Sequence, residues 1–117
     1  MKLLNEMFIL VSQPDDDTFR VRINAEHAIY RAHFPEKPIT PGVCIVQLLT
    51  ELLALRMQRP MQLERISNIK YLLPILPNET NELDILLKIT EQDGQVNAKG
   101  QIFYQDKIFT KYSIVCK

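Results

Sequence analysis

The sequence predicts an α+β roll, one long apolar helix wrapped by a curved sheet, and three observations predict it. Residues 41–58 are rich in strong helix formers, Leu above all, and are apolar almost all the way round. Two segments before this run and four after it carry the alternation or the β-branched content of strands. The chain has 117 residues, 46% of them apolar, which suits one compact core, so a single domain is expected over residues 1–117. A lone helix that is apolar on most sides is most simply covered by a sheet that curls about it.

The elements follow in order. Residues 7–11 form a short apolar run, and residues 18–23 alternate Phe19, Val21 and Ile23 with Thr18, Arg20 and Arg22. Gln13, Pro14, Asp15, Asp16 and Asp17 lie between them and predict a turn. Residues 24–41 are irregular, and Pro35, Pro38 and Pro41 stiffen them by fixing their own φ and biasing the preceding residues towards extended backbone. Thr40 is expected to cap the long helix, with Pro41 in its first turn. Strands are expected at 66–73, 82–90, 96–103 and 108–115, with turns at 76–79, 92–94 and 105–107. Several α+β topologies share this element order, so the pattern alone goes no further.

Composition excludes several classes of function. Fourteen basic residues balance fourteen acidic ones, so no whole-chain field exists to hold nucleic acid or anionic lipid. The longest apolar segment, 43–55, is interrupted by Gln47, Thr50 and Glu51 and is too short to cross a bilayer. The first residues lack the continuous apolar stretch and small-residue cleavage site of a leader, so a cytoplasmic protein is expected. Cys44 and Cys116 are expected to be reduced thiols. Two histidines in one loop region, without cysteine or carboxylate spacing, give no metal set.

Gln47, Thr50 and Glu51 fall on one stripe of the helix, a polar line that either faces a wet groove or subunit contact or belongs to an active site. Just upstream, His33, Phe34, Pro35, Glu36, Lys37, Pro38, Ile39, Thr40, Pro41, Gly42 and Val43 place an imidazole on a proline-stiffened loop next to a helix start. Free N–H groups there attract developing negative charge, and Gly42 has no side chain to keep a carbonyl oxygen away. A lone histidine is more often structural than catalytic, and His27 has no such surroundings.

Residues 33–43 resemble the signature of the 3-hydroxyacyl-acyl-carrier-protein dehydratases, His-Phe-Pro-x-x-Pro-x-x-Pro-Gly-Val, at every fixed position. Ile66 to Tyr71, Leu73 to Pro77 and the final hairpin are also similar to that family. The resemblance implies a hotdog fold and elimination of water from a 3-hydroxyacyl thioester to give a trans-2-enoyl thioester, as in fatty-acid or polyketide-type synthesis. It implies His33 as the base, Gly42 as the backbone donor to the thioester carbonyl, and an acyl tunnel lined in part by Phe34, Ile39, Val43 and Val46, which serve equally well as core. No cofactor is implied; the substrate is an acyl carrier protein or CoA thioester on a phosphopantetheine arm. A homodimer or higher oligomer sharing its sites is implied, with a heterodimer as the variant. Arg31, Lys37, Arg56, Arg59 and Lys70 are available to an acidic carrier, though each is equally an ordinary solvated charge.

The resemblance fails at one position that matters. The family places Glu or Asp where this chain has Gln47, and an amide cannot titrate, although general-acid help is worth about 10²–10⁴ in rate. Ala32 also replaces the usual glycine before the histidine. Three expectations follow. His33 returns the proton to the hydroxyl while Gln47 orients it; or Glu51, about 6 Å further along the helix, substitutes; or the subunit binds acyl chains without converting them, beside a competent partner. A hotdog thioesterase, with Gln47 or Glu51 positioning water, is the other enzymatic alternative.

Overall fold

A computed structural model of the chain describes residues 2–32 and 36–117, so the sequence-predicted His33, Phe34 and Pro35 lie outside the described residues. The elements are β1 (Phe8–Asp15), β2 (Thr18–Ile23), α1 (Ala28–Ala32), α2 (Gly42–Met57), β3 (Leu63–Tyr71), β4 (Glu82–Gln92), β5 (Gln95–Tyr104) and β6 (Lys107–Cys116). All six strands join one sheet in the order β1-β2-β4-β5-β6-β3, and every neighbouring pair is antiparallel. The chain therefore runs a hairpin, inserts the long helix, crosses to the far edge as β3, and returns to fill the centre with the β4-β5-β6 meander.

Alternation in the central strands decides which face meets α2. Leu83, Ile85 and Leu87 of β4, Val96, Ala98 and Ile102 of β5, and Ile114 of β6 join one buried cluster with Cys44, Ile45, Leu48, Leu49, Leu52 and Leu53 of the helix. Asp93 and Gly94 at φ 53° and 78° close the β4-β5 hairpin with the left-handed pair that matches strand twist. Gly100 is required by close approach: a Cβ there would run into the Leu86 carbonyl oxygen, which already accepts a 2.7 Å hydrogen bond from the Tyr112 hydroxyl.

Several expectations need correction. β1 extends to Asp15, past Val11 and through Pro14, because an edge strand tolerates a residue without an N–H. The irregular 24–41 stretch contains a helical turn, α1, whose Ile29 N–H donates to His27 Nδ1 at 3.2 Å, a local structural job for that imidazole. Thr40 does not cap α2. Pro41 occupies the N-cap position in extended backbone without a side-chain bond, and the Thr40 hydroxyl instead pairs with the buried Tyr30 hydroxyl at 2.8 Å. Within the hotdog arrangement α2 still keeps two apolar side chains at the surface, Val43 at 68% exposure and Leu55 at 44%. Both cysteines are free and buried, and burial raises their thiol pKa values. No helix among the described residues is long and apolar enough to cross a membrane.

Candidate active site at the start of the long helix

The polar stripe on α2 is divided among three tasks. Thr50 returns its hydroxyl to the Val46 carbonyl at 3.0 Å, satisfying itself within the helix. Glu51 turns to the N-terminal segment: the Leu3 N–H is shared between its two oxygens at 3.0 and 2.8 Å, and the Leu4 N–H reaches Oε1 at 2.8 Å. Gln47 donates from Nε2 to Glu51 Oε2 at 2.9 Å. An ionised carboxylate accepts only, so this bond fixes the amide by chemistry: its NH₂ faces Glu51 and its carbonyl oxygen faces away.

Away from Glu51 lies a groove of about 540 Å³, lined by Gly42, Val43, Val46, Gln47 and Thr50 of α2 and by Leu63, Ile66 and Tyr71 of β3, with Met61 and Gln62. The structure thus brings Gly42, Val43, Val46 and Gln47 together. Glu51 lines a different depression, with Lys2, Leu4 and Arg59, and Ile39 is half-buried outside the groove.

At the helix start, Cys44 and Ile45 both donate to the Pro41 carbonyl, at 3.0 and 3.3 Å. The Gly42 and Val43 N–H groups have no acceptor among the described residues, and they sit where the helix field is positive. Tyr71 closes this end: its hydroxyl donates to the Gly42 carbonyl at 3.2 Å, and a Cβ on Gly42 would stand 2.7 Å from that hydroxyl. A side chain at position 42 would therefore have to push the Tyr71 ring aside. Burial raises the Tyr71 pKa, so the phenol stays a neutral donor. Sequence reasoning placed Tyr71 in the third-strand region but gave it no role; its contact with Gly42 left no signal in the sequence pattern.

The loop carrying the signature histidine is anchored on both flanks. Tyr30, three residues before His33, is buried and bonded to Thr40, and the Thr40 N–H donates to the Ile75 carbonyl at 2.9 Å. Desolvation pushes the Tyr30 pKa up to about 12, which keeps the phenol and its bond intact across the physiological range.

Residues 11–108 match the ApeI-like family, described as ApeI dehydratase. The chain belongs to that dehydratase family. A 3-hydroxyacyl-[acyl-carrier-protein] dehydratase FabZ from Anaeromyxobacter sp. (strain K) is 29% identical over an 84-residue alignment covering 63% of this chain and 53% of the relative. The chain spans about half the length of that curated relative. Among solved structures, the dehydratase heterocomplex ApeI:P from Xenorhabdus doucetiae superposes with a TM-score of 0.62 at 18% identity, covering 94% of this chain and 98% of that one. A mutant thioesterase from Pseudomonas aeruginosa gives 0.66 at 11% identity, with 93% and 78% covered. These likenesses show the fold, an α+β hotdog.

Proposed function

We propose that the chain dehydrates 3-hydroxyacyl groups presented as thioesters of an acyl carrier protein or CoA, in the groove at the start of α2. The observation that carries this reading is the arrangement in one groove of the Gly42 N–H at a helix start and Gln47 somewhat more than one turn further on, in a chain of the ApeI-like dehydratase family. In this reading the Gly42 N–H, aided by that of Val43, receives the thioester carbonyl and stabilises the enolate oxygen. His33 removes the α-proton, and the 3-hydroxyl lies by Gln47.

With the Gln47 NH₂ donating to Glu51, the amide atom that receives the substrate hydroxyl in this reading is the carbonyl oxygen. A carbonyl accepts the hydroxyl proton in a hydrogen bond and so holds the group in place, but it supplies no proton to departing hydroxide. The proton must then come from His33, which gained one from the α-carbon. Of the three expectations for Gln47, this supports proton return by the histidine. Glu51 fits the substitute role poorly, because two backbone N–H groups and the Gln47 amide already occupy its oxygens.

The reading includes a second subunit. β3 is an edge strand, and Leu63, Ile66, Tyr71, Leu72 and Leu73 are exposed along and beyond it, beside exposed Val43. A partner covering this apolar strip would roof the groove and bury the reacting thioester. The same gap at Gln47 that weakens proton donation also supports a second reading, a binding subunit paired with a competent partner; the ApeI:P neighbour is itself a heterocomplex.

The test is turnover by purified protein of a 3-hydroxyacyl thioester, followed by ultraviolet absorbance of the conjugated enoyl product. Product formation that disappears in His33→Ala supports the enzyme. Absence of product from the natural chain, with product from Gln47→Glu, supports the silent subunit. Free thiol released without enoyl product would point to thioesterase chemistry.

A further inference from the structure

The outer face of the sheet, opposite α2, carries a second concave site of about 510 Å³ whose lining includes four lysines and no carboxylate. Register places them. Lys88 stands directly opposite Lys99 across β4 and β5, and Lys99 opposite Ser113 on β6. In the next row, Gln101 stands opposite Lys111, and Lys111 opposite Lys70 on β3. Lys99 and Gln101 are two residues apart on one strand, so both rows share a face, and all four lysines are exposed.

This arrangement costs stability. Directly opposed residues have Cβ atoms about 5 Å apart and diagonal ones about 7–8 Å, and like charges directly opposite one another are destabilising. The band holds two such pairs in a chain whose charges balance overall. The ion pairs among the described residues, Arg20 with Asp84, Arg31 with Glu26 and Arg59 with Glu91, involve none of these lysines. The positive charge is therefore segregated, with no ion-pair partner for these lysines among the described residues.

We infer that this lysine band is a docking surface for an acidic helix of a partner protein. The band crosses four strands diagonally, spanning about 14 Å at the usual strand spacing, which is long for a single phosphate group. Carboxylates at i, i+3 and i+4 of a helix recur about every 5–6 Å, within the spacing of the lysines. The lining offers no arginine fork for phosphate and no exposed ring on which a base could stack, since Tyr112 is buried and bonded to the Leu86 carbonyl. It also offers no exposed apolar side chain to enter a bilayer. The inference does not depend on the catalytic reading, because the band lies across the sheet from the groove.

The experiment titrates the isotopically labelled full chain with a helical alanine–glutamate peptide, and in parallel with oligo-dT and short-chain polyphosphate. Backbone amide shifts confined to the Lys70, Lys88, Lys99 and Lys111 region are expected. Affinity should fall at least about tenfold in the Lys99→Glu/Lys111→Glu variant and steeply with salt. The same variant should melt at a higher temperature than the natural chain, because each change turns an opposed like pair into an opposite one. An exposed control pair, Lys107→Glu/Lys117→Glu, should bind nearly as well as the natural chain. Shifts scattered over the surface, equal loss in the control pair, tighter binding of either nucleic acid or polyphosphate, or no binding at all would each overturn the inference.

Discussion

Replacing Gln47 by glutamate is the most informative single change, because its effect on stability and its effect on chemistry come from the same contact. In the natural chain the Gln47 amide donates to Glu51 Oε2 at 2.9 Å. In Gln47→Glu the donor becomes a carboxyl group facing a carboxylate whose oxygens already accept from two backbone N–H groups. Two unit charges about 4 Å apart repel by about 4 kcal/mol at an effective dielectric of about 20. The repulsion should therefore raise the pKa of the added carboxyl above that of an ordinary glutamate. A carboxyl whose folded pKa lies above its unfolded one leaves stability undiminished at acid pH and lowers it as pH rises past about 4. Thermal unfolding of both proteins at acid, neutral and alkaline pH should show near-equal midpoints in acid and a deficit for the variant that grows to a few kcal/mol in base. Below its raised pKa the new carboxyl is a general acid, so enoyl formation should rise by up to about 10²–10⁴ and decline as pH increases. A deficit independent of pH, or no deficit, would show that Gln47 and Glu51 are not paired and would refute the amide orientation.

Three further outcomes follow from buried groups. Tyr30→Phe removes the Thr40 partner and should cost about 1–3 kcal/mol near neutral pH in chemical denaturation. Because the Tyr30 pKa is raised to about 12 from 10, its contribution is complete below pH 10 and lost as pH climbs from 10 to about 12; the variant's alkaline unfolding should therefore be less steep. Thr110 is fully buried and its hydroxyl lacks a partner among the described residues, so Thr110→Val should stabilise by about 1 kcal/mol and raise the melting midpoint by several degrees. Gly100→Ala drives a methyl group into the Leu86 carbonyl and should cost at least about 3 kcal/mol, read as loss of soluble folded protein or a large fall in denaturant midpoint.

What the sequence made legible followed from periodicity. Strict alternation from Thr18 to Ile23 gave β2 at its observed bounds, and the leucine-rich run gave α2 to within a residue at each end. Asp93-Gly94 marked a two-residue hairpin because left-handed backbone is cheap there. Short and edge elements were harder. β3 begins at Leu63, since its mostly exposed strand has no buried face to impose alternation, and α1 is too short to show a helical period. At the site, the signature picked out Gly42 and Val43 and the wider family resemblance Val46 and Gln47, and these four line one groove. The destinations of Thr40 and Glu51 were not legible, because Tyr30 and the Leu3 and Leu4 N–H groups meet them only through tertiary packing. Tyr71 was missed for the same reason, its contact with Gly42 spanning the distance from β3 to the helix start.

The proposed function requires that a thioester bind in the groove lined by Gly42 and Gln47. A structure of the chain with a non-hydrolysable 3-hydroxyacyl thioester analogue tests it most directly. The account predicts the thioester carbonyl about 3 Å from the Gly42 nitrogen, with the 3-hydroxyl donating to Gln47 Oε1. An analogue seated elsewhere, or one whose carbonyl points away from the helix start, would contradict it.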